Sequence, residues 1–311
     1  MNFEVIIPIA ANDIADLIQN IHEIHRHIHA DKYVVIGPES VRKEIESIDF
    51  LSFMDENEVV SGLTFDKVRQ DIESIYPKAS RRTGWYFQQF LKLAYAFRCG
   101  TDYYLSWDSD TLPLRNLSFF NSYGKPFLDY LPKEYGDEDY QVTIQKLFPE
   151  FTSRTDKSYI TEHMIFKCDI VKTIISQIES KEHLSGRVFY EKILHSINTK
   201  AFNLSAFSEF ETYSAFILNK NPDCYIERKW KNLRNGRFYF GTQLTEPEKS
   251  WLAKSFDVIS LENYDRQYWI TRLIIKYAEG RIPFTRIYKW INPVYKIYYR
   301  IRLALRKVIR S

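Results

Sequence analysis

Asp108, Ser109 and Asp110 follow the apolar run Asp102–Trp107, DYYLSW. Two carboxylates at i and i+2, delivered by the end of a strand, suit a hard divalent cation. Mg²⁺ and Mn²⁺ prefer oxygen ligands and leave positions for phosphate oxygens. Such an ion neutralises the charge that develops on a leaving diphosphate. The same triplet also suits a plain strand-to-turn junction, because Asp and Ser are good turn formers. A motif this short recurs by chance, so its surroundings must decide. Arg234 and Arg237, in the polar turn KNLRNGRFYFG, suit either bidentate phosphate contact or a solvated loop. His22, His25 and His29, with His27 beside them, fall at metal-ligand spacing on one helix. No cysteine or carboxylate pattern reinforces them, and a solvated helix edge is the reading adopted.

The elements that must position the acidic pair are partly legible. Residues 3–9, FEVIIPI, read as a buried strand. Asn12 or Asp13 can cap a helix carrying Ile14, Leu17, Ile18, Ile21, Ile24 and Ile28 at helical spacing. Residues 32–36, KYVVI, make a second strand, ended by Gly37 and Pro38. Strand, helix, strand is the opening of an α/β nucleotide-binding sheet. Residues 39–48 read as helix and 49–80 as mixed structure. The block 84–98, GWYFQQFLKLAYAFR, predicts a helix with Phe87, Phe90, Leu91 and Ala94 near one face. The strand at 102–107 then presents Asp108 and Asp110 at its C-terminal end, where α/β sheets bind ligands. Residues 123–160 are polar and Tyr-rich without a clear period, and read as an active-site loop region. Residues 161–167 read as strand, with helices over 169–180 and 186–197. The helix over 207–218 has Ser208 as its cap and Glu211 three residues on, a capping-box pattern. Short strands fall within 223–260 and a helix over 261–279. These readings divide the chain at 1–260 and 261–311.

The 311 residues are 45% hydrophobic, enough for a sizeable core. The 22 Tyr, 22 Phe and 6 Trp can build that core or stack on bases and sugar rings. Cys99, Cys168 and Cys224 lie far apart, without a C-x-x-C pair, which favours a reducing cytoplasm. The start MNFEVIIPIA lacks the basic region of a signal peptide, and no apolar run reaches the ~18–20 residues of a membrane span. The net charge of +3 is unevenly distributed. Nine Lys and Arg (281, 286, 289, 296, 300, 302, 306, 307 and 310) fall within 281–311, with no Asp or Glu, leaving 34 basic against 40 acidic residues elsewhere. The tail also repeats apolar residues at 291, 294, 295, 298, 301, 305, 308 and 309, a helical period, with Arg302 intruding on that face. A basic amphipathic helix on an anionic membrane surface is the expectation, each cation near the surface contributing about 1 kcal/mol. A helix docked on the body is the alternative. RNA binding fits less well, because no RNA module accompanies the basic tail.

The segment YYLSWDSDTLPLR, preceded by GWYFQQFLKL, resembles the GT-A glycosyltransferase superfamily. More narrowly, it resembles bacterial capsule and O-antigen glycosyltransferases with a G-W-Y-x-Q-Q-x-x-K block before a D-x-D. The later segments TEHMIF at 161–166 and FSEFETYSAF at 207–216 fit the same order, so the resemblance spans residues 3–245. It implies a GT-A, Rossmann-like mixed central sheet flanked by helices, here with a basic amphipathic helical extension. It implies that Asp110 ligates Mn²⁺ or Mg²⁺, with Asp108 sharing the metal or the ribose. Pro8, Ile9 and Ala10 would flank the base. Trp85, Gln88, Gln89 and Lys92 would line the donor site together with Trp107, Asp108 and Ser109, and Arg237 is added to them from its own reading as a phosphate contact. Glu209 is the expected catalytic base for an acceptor hydroxyl, with Glu211 and His163 behind it.

The resulting expectation is a metal-dependent transferase moving a sugar from a nucleotide-sugar, UDP-linked by preference, to a lipid-linked glycan. It would work from the cytoplasm, peripheral on the inner face of the cell membrane, in surface polysaccharide biosynthesis, without nucleic acid as partner. Two alternatives stay open. One is a haloacid-dehalogenase-like phosphatase using Asp108 and Asp110, although Leu112 departs from that pattern and such motifs usually open a chain. The other is a catalytically silent membrane-surface adaptor.

Overall fold

The computed structural model describes the whole chain except residues 134–137, 153–155, 204–205, 264, 266, 268 and 311, and the side chains of 138, 298 and 300–310. The chain divides into two compact units. The first comprises residues 1–111 and 117–230, the second residues 112–116 and 231–311.

The first unit opens with β1 (Phe3–Pro8), α1 (Ile14–His27), β2 (Lys32–Gly37), α2 (Arg42–Glu46) and β3 (Leu51–Asp55). Then come α3 (Phe65–Ile75), α4 (Thr83–Ala94) and β4 (Tyr103–Trp107). After β5 (Thr111–Pro113) follow β6 (Phe127–Pro132), α5 (Glu138–Leu147), β7 (Lys157–Ser158) and β8 (His163–Lys167). The unit ends with α6 (Cys168–Glu179), α7 (Phe189–Ser196), α8 (Glu209–Lys220) and β9 (Ile226–Lys229).

Its central sheet has the order β3-β2-β1-β4-β8. The first four strands run parallel and β8 is antiparallel to β4. This is an α/β fold with a mixed sheet and flanking helices. Every residue of β1 and of β4 is buried, as expected of strands covered on both faces. A smaller sheet pairs β6 with β9 in parallel and with β7 antiparallel.

Local chemistry explains the helices nearest the acidic pair. In α4, Tyr86, Phe87, Phe90, Leu91, Leu93 and Ala94 are all buried, and so are Gln89 and Lys92. A helix enclosed on most sides is a core helix, and its polar side chains must find partners inside. In α8 the Ser208 hydroxyl accepts the Glu211 N–H at 3.2 Å, half of the expected capping box. The other half is absent because the Glu211 carboxylate turns away, accepting Ser158 Oγ at 3.0 Å and Tyr159 N at 2.8 Å. The stretches read as mixed or as loop hold α3, β3, β6, α5 and β7.

The second unit contains a sheet of order β10-β11-β5, with β10 at Asn232–Leu233 and β11 at Val258–Ser260. Around it lie α9 (Gly236–Phe240), α10 (Glu246–Leu252), α11 (Trp269–Ala278) and α12 (Phe284–Arg310). Its core gathers Leu112, Leu233, Phe238, Tyr239, Trp251, Ile259, Phe284 and Tyr295. The turn before α9 uses Asn235 at φ 62°, a left-handed conformation that Asn tolerates. The Tyr295 hydroxyl reaches Asn235 Oδ1 and Asp265 Oδ1, each at 3.0 Å, tying α12 to that turn. Helix α12 runs through Pro293. Arg300, Arg302, Arg306, Lys307 and Arg310 of the basic tail lie outside the described side chains.

Candidate active site

The turn after β4 is held from several sides. Asp108 N–H donates to Glu162 O at 3.0 Å, and Thr111 N–H closes the turn on Asp108 O at 3.1 Å. The buried Asn20 of α1 donates Nδ2 to Ser109 O at 3.0 Å. Trp107 Nε1 donates to Thr111 O at 3.0 Å. These bonds fix the backbone and leave the Asp108 side chain about a third exposed, at 36%. Asp110 is half-buried, with Thr111 Oγ1 3.4 Å from its Oδ1.

Lys92 is the hub of the arrangement. Its ammonium lies 3.1 Å from Asp108 Oδ1 and 3.0 Å from Glu209 Oε1, with both Lys92 and Glu209 at 5% side-chain exposure. It also sits 4.5 Å from the centre of the Phe210 ring. Burial alone would lower the pKa of this amine. The charges of Asp108 and Glu209, and their hydrogen bonds, outweigh that and hold it well above the usual lysine value. The Lys92 ammonium balances Glu209 in a place where a lone carboxylate would be costly.

The rest of the α4 block sets this geometry. Gln89 Oε1 accepts the Glu209 N–H at 3.3 Å, while its Nε2 donates to Trp85 O at 3.2 Å. Glu209 is the first residue of α8, where a carboxylate complements the helix dipole. Gln88 Nε2 donates to Pro8 O at 2.9 Å and so ties α4 to the end of β1. Lys92, Asp108 and Glu209 are thus brought together from α4, β4 and α8, with Asp110 two residues along the same turn.

The remaining residues of the expected site stand in different settings. Pro8 and Ile9 are buried at the C-terminal end of β1 and Ala10 is exposed. Ser109 is buried in the turn. Trp85 is half-buried, and Arg82 lies over its ring at 4.1 Å. Trp107 is fully buried, with its ring packed near Phe119 and His163. His163 pairs with Trp107 across the β4–β8 ladder and is enclosed by Trp107, Phe119 and Trp230. Its Nε2 lies 2.9 Å from Asp129 Oδ2, and its Nδ1 has no hydrogen-bond partner among the described residues. Arg237 belongs to the second unit, where it bonds Asn263 Oδ1, and Arg234 pairs there with Glu262 at 3.3 Å.

Asp129 and Arg228 complete a buried cluster that sequence reasoning does not reveal. Arg228 donates Nε to Asp129 Oδ1 at 2.6 Å and Nη2 to Asp129 Oδ2 at 2.7 Å. Burial would raise the Asp129 pKa, but the bonds from Arg228 and His163 outweigh it and hold the carboxyl below its usual range. The pair is 99 residues apart in sequence, and no local pattern marks it. The histidines of α1 pack on aromatic neighbours: His25 stacks on Phe50 at 4.0 Å and His22 meets the same ring edge-on. No group of three or more His, Cys, Asp or Glu poised to hold a metal occurs among the described residues.

The oxygen chemistry at Asp108 and Asp110 nevertheless fits Mg²⁺ or Mn²⁺, which take one or two carboxylates and complete their shell with water and substrate phosphates. One cleft in the first unit is lined by Gln141, Phe151, Tyr159, Glu211 and Asn219. A cavity of about 360 Å³ lies beside Lys146, His183, His195 and Ser196. Neither is lined by Asp108 or Asp110, so the carboxylates, not the cavities, identify the candidate site.

A family model described as a family of unknown function, DUF6492, matches residues 12–221. That range includes Lys92, Asp108, Asp110, His163, Glu209 and Glu211. No curated protein matches the chain. Solved structures resemble it distantly, among them the following three. The galactosyltransferase LgtC, in complex with donor and acceptor sugar analogues, is 11% identical, with 90% of this chain and 98% of that chain covered and a TM-score of 0.42. Mouse xyloside xylosyltransferase 1, in its apo form, is 10% identical, with 85% and 98% covered and a TM-score of 0.42. Core-mannan synthase A from Aspergillus fumigatus, in its Mn/GDP form, is 9% identical, with 73% and 72% covered and a TM-score of 0.44. Likenesses this distant do not bear on which residues act.

Proposed function

The chain belongs to the DUF6492 family of unknown function, and from that premise we propose that it is a GT-A-type, metal-dependent glycosyltransferase. The observation that carries this reading is the Asp108–Lys92–Glu209 chain of ion pairs at the C-terminal end of a buried parallel strand. There a nucleotide-sugar donor, preferably UDP-linked, meets Asp108 and Asp110. A bound Mn²⁺ or Mg²⁺ would supply charge neutralisation for the departing diphosphate. The chain's own residues do the positioning. Lys92 pairs with both Glu209 and Asp108 and so holds the two carboxylates on either side of one ammonium. Glu209 is the base proposed for the acceptor hydroxyl if the transfer inverts configuration. The bonds from Asn20 Nδ2 to Ser109 O and from Asp108 N–H to Glu162 O hold the backbone of the acidic turn in place. Pro8, Ile9 and Ala10 flank the base in this reading, and Gln88 sets their position through Pro8 O.

The proposed acceptor is a lipid-linked glycan, and the proposed partner is the anionic inner face of the cell membrane, reached through residues 286–311. No helix among the described residues is long and apolar enough to cross a membrane. Thermal shift against a panel of nucleotide-sugars with Mn²⁺ tests the donor site. A ligand that binds only the native state raises the melting temperature according to its affinity. A metal-dependent rise with one nucleotide class, lost in Asp110→Ala, is the expected result. No rise with any nucleotide, with or without metal, would sink the proposal.

A further inference from the structure

Helix α11 has its apolar residues on the wrong side for a helix that merely docks on a core. Thr271, Ile275 and Ala278 face inward and are buried. Trp269, Ile270, Leu273, Ile274 and Tyr277 are between 43% and 71% exposed. Their spacing of i, i+1, i+4, i+5 and i+8 makes one continuous stripe along the helix. Helix α12 has a second exposed set, Trp290, Val294 and Ile297, at 60–65%. Outside these two helices, the other large apolar side chains exposed to this degree among the described residues are Met1, Ile18, Phe97, Tyr123 and Val142, scattered along the first unit. Single exposed apolar residues need no explanation, but a stripe of five does.

The charge around the stripe identifies what covers it. Residues 266–311 contain twelve Lys and Arg and a single acidic residue, Glu279. Lys276 is exposed on α11 itself. Arg281 caps the stripe, with its guanidinium 4.9 Å from the Tyr277 ring centre and its Nη1 on Tyr277 O at 3.1 Å. Arg286, Lys289 and Lys296 are exposed on α12. Arg272 is the exception, because it is turned toward the buried Glu248. Trp and Tyr at the ends of an apolar stripe, with cations beside them, match a bilayer interface, where aromatic rings sit at headgroup depth and cations meet lipid phosphate. A second copy of the same surface would bring like charges together.

We propose that the exposed stripe of α11 is a membrane-inserting face that seats the second unit in an anionic leaflet. Trp269, Leu273 and Tyr277 enter the headgroup–acyl boundary, and the cations of α12 hold the phosphates. This extends the membrane reading above, which rests on residues 286–311, and it is independent of sugar transfer. It gives the larger apolar contact to α11 and the larger share of the charge contact to α12.

The test is flotation of the full chain with vesicles of phosphatidylcholine containing 30 mol% phosphatidylglycerol, compared with pure phosphatidylcholine. The expected result is binding to the anionic vesicles and at least tenfold weaker binding to the neutral ones. Brominated lipid should quench tryptophan emission, and Trp269→Phe should remove much of that quenching. The double variant Leu273→Glu, Ile274→Glu should bind at least tenfold more weakly, with an unchanged melting temperature and the same nucleotide-dependent thermal shift. Arg286→Glu, Lys289→Glu should lose the preference for anionic lipid. Full binding by the Leu273/Ile274 variant overturns the proposal, even if truncation of 286–311 abolishes binding. A soluble dimer that the same variant dissociates, without vesicle binding by the parent, also overturns it in favour of self-association.

Discussion

Lys92 is the residue on which the candidate site depends. A buried ammonium between two carboxylates is tolerated only while both remain, and removing one partner of a buried pair typically costs about 3–5 kcal/mol. Lys92→Met should therefore lower stability by about that amount, because Glu209 is left without compensation. Adding Glu209→Gln should recover part of the loss, and a double-mutant cycle by urea unfolding measures the coupling. A simple sum of the two single losses would show that the pair does not interact. The Asp129 cluster makes a separate prediction about pH. Its carboxyl is held below 3.8, the value for a free side chain, so its stabilisation is full above that pH and disappears as pH falls through the lower folded value. Asp129→Asn should lose about 3–5 kcal/mol at neutral pH, since Arg228 and His163 lose their partner. It should also show a flatter decline of stability below pH 3.8 than the parent, and an identical acid limb in both proteins would refute the linkage.

At the level of elements, helix α8 matters because its first turn presents Glu209 to Lys92. Ser208→Ala removes the oxygen that accepts Glu211 N–H and should cost about 1 kcal/mol. Gly236 is the corresponding pressure point of α9. A Cβ there would come within 2.3 Å of Ile259 Cγ1 and 2.7 Å of Ser260 O, so Gly236→Ala must displace β11. Overpacking of this kind typically costs about 1–3 kcal/mol, read as a lower melting temperature. The elements around the acidic turn are legible in the amino-acid sequence for a physical reason. Strands β1, β2 and β4 are short apolar runs, and α1 and α4 repeat apolar residues at helical spacing, all local signals. Helix α3 is not legible in this way, because it buries only Val68 and Ile72 within a polar sequence. Strands β6 and β9 owe their existence to each other across a long sequence gap, and β9 is only half-buried. The site itself divides in the same way. Asp108 and Asp110 stand out in the sequence, whereas the bond between Gln89 and Glu209 joins residues 120 apart and is visible only in three dimensions.

At the scale of the whole molecule, the chain separates an acidic-turn unit from a second unit that ends in basic helices. The tail's charge is readable from composition, but the apolar stripe of α11 is not. Leu273 and Ile274 look like core residues until the helix is seen to bury Thr271, Ile275 and Ala278 instead. In the proposed arrangement one unit binds the nucleotide-sugar and the other places it at a lipid surface, so the two activities should be separable by mutation. Sugar transfer is tested by release of UDP from a UDP-sugar panel by the purified full chain with Mn²⁺, with or without acceptor. The expected result is metal-dependent release with at least one donor, reduced at least a hundredfold in Asp110→Ala while the melting temperature holds. Release that is undiminished in Asp110→Ala, or no release and no nucleotide binding with any donor, would contradict it.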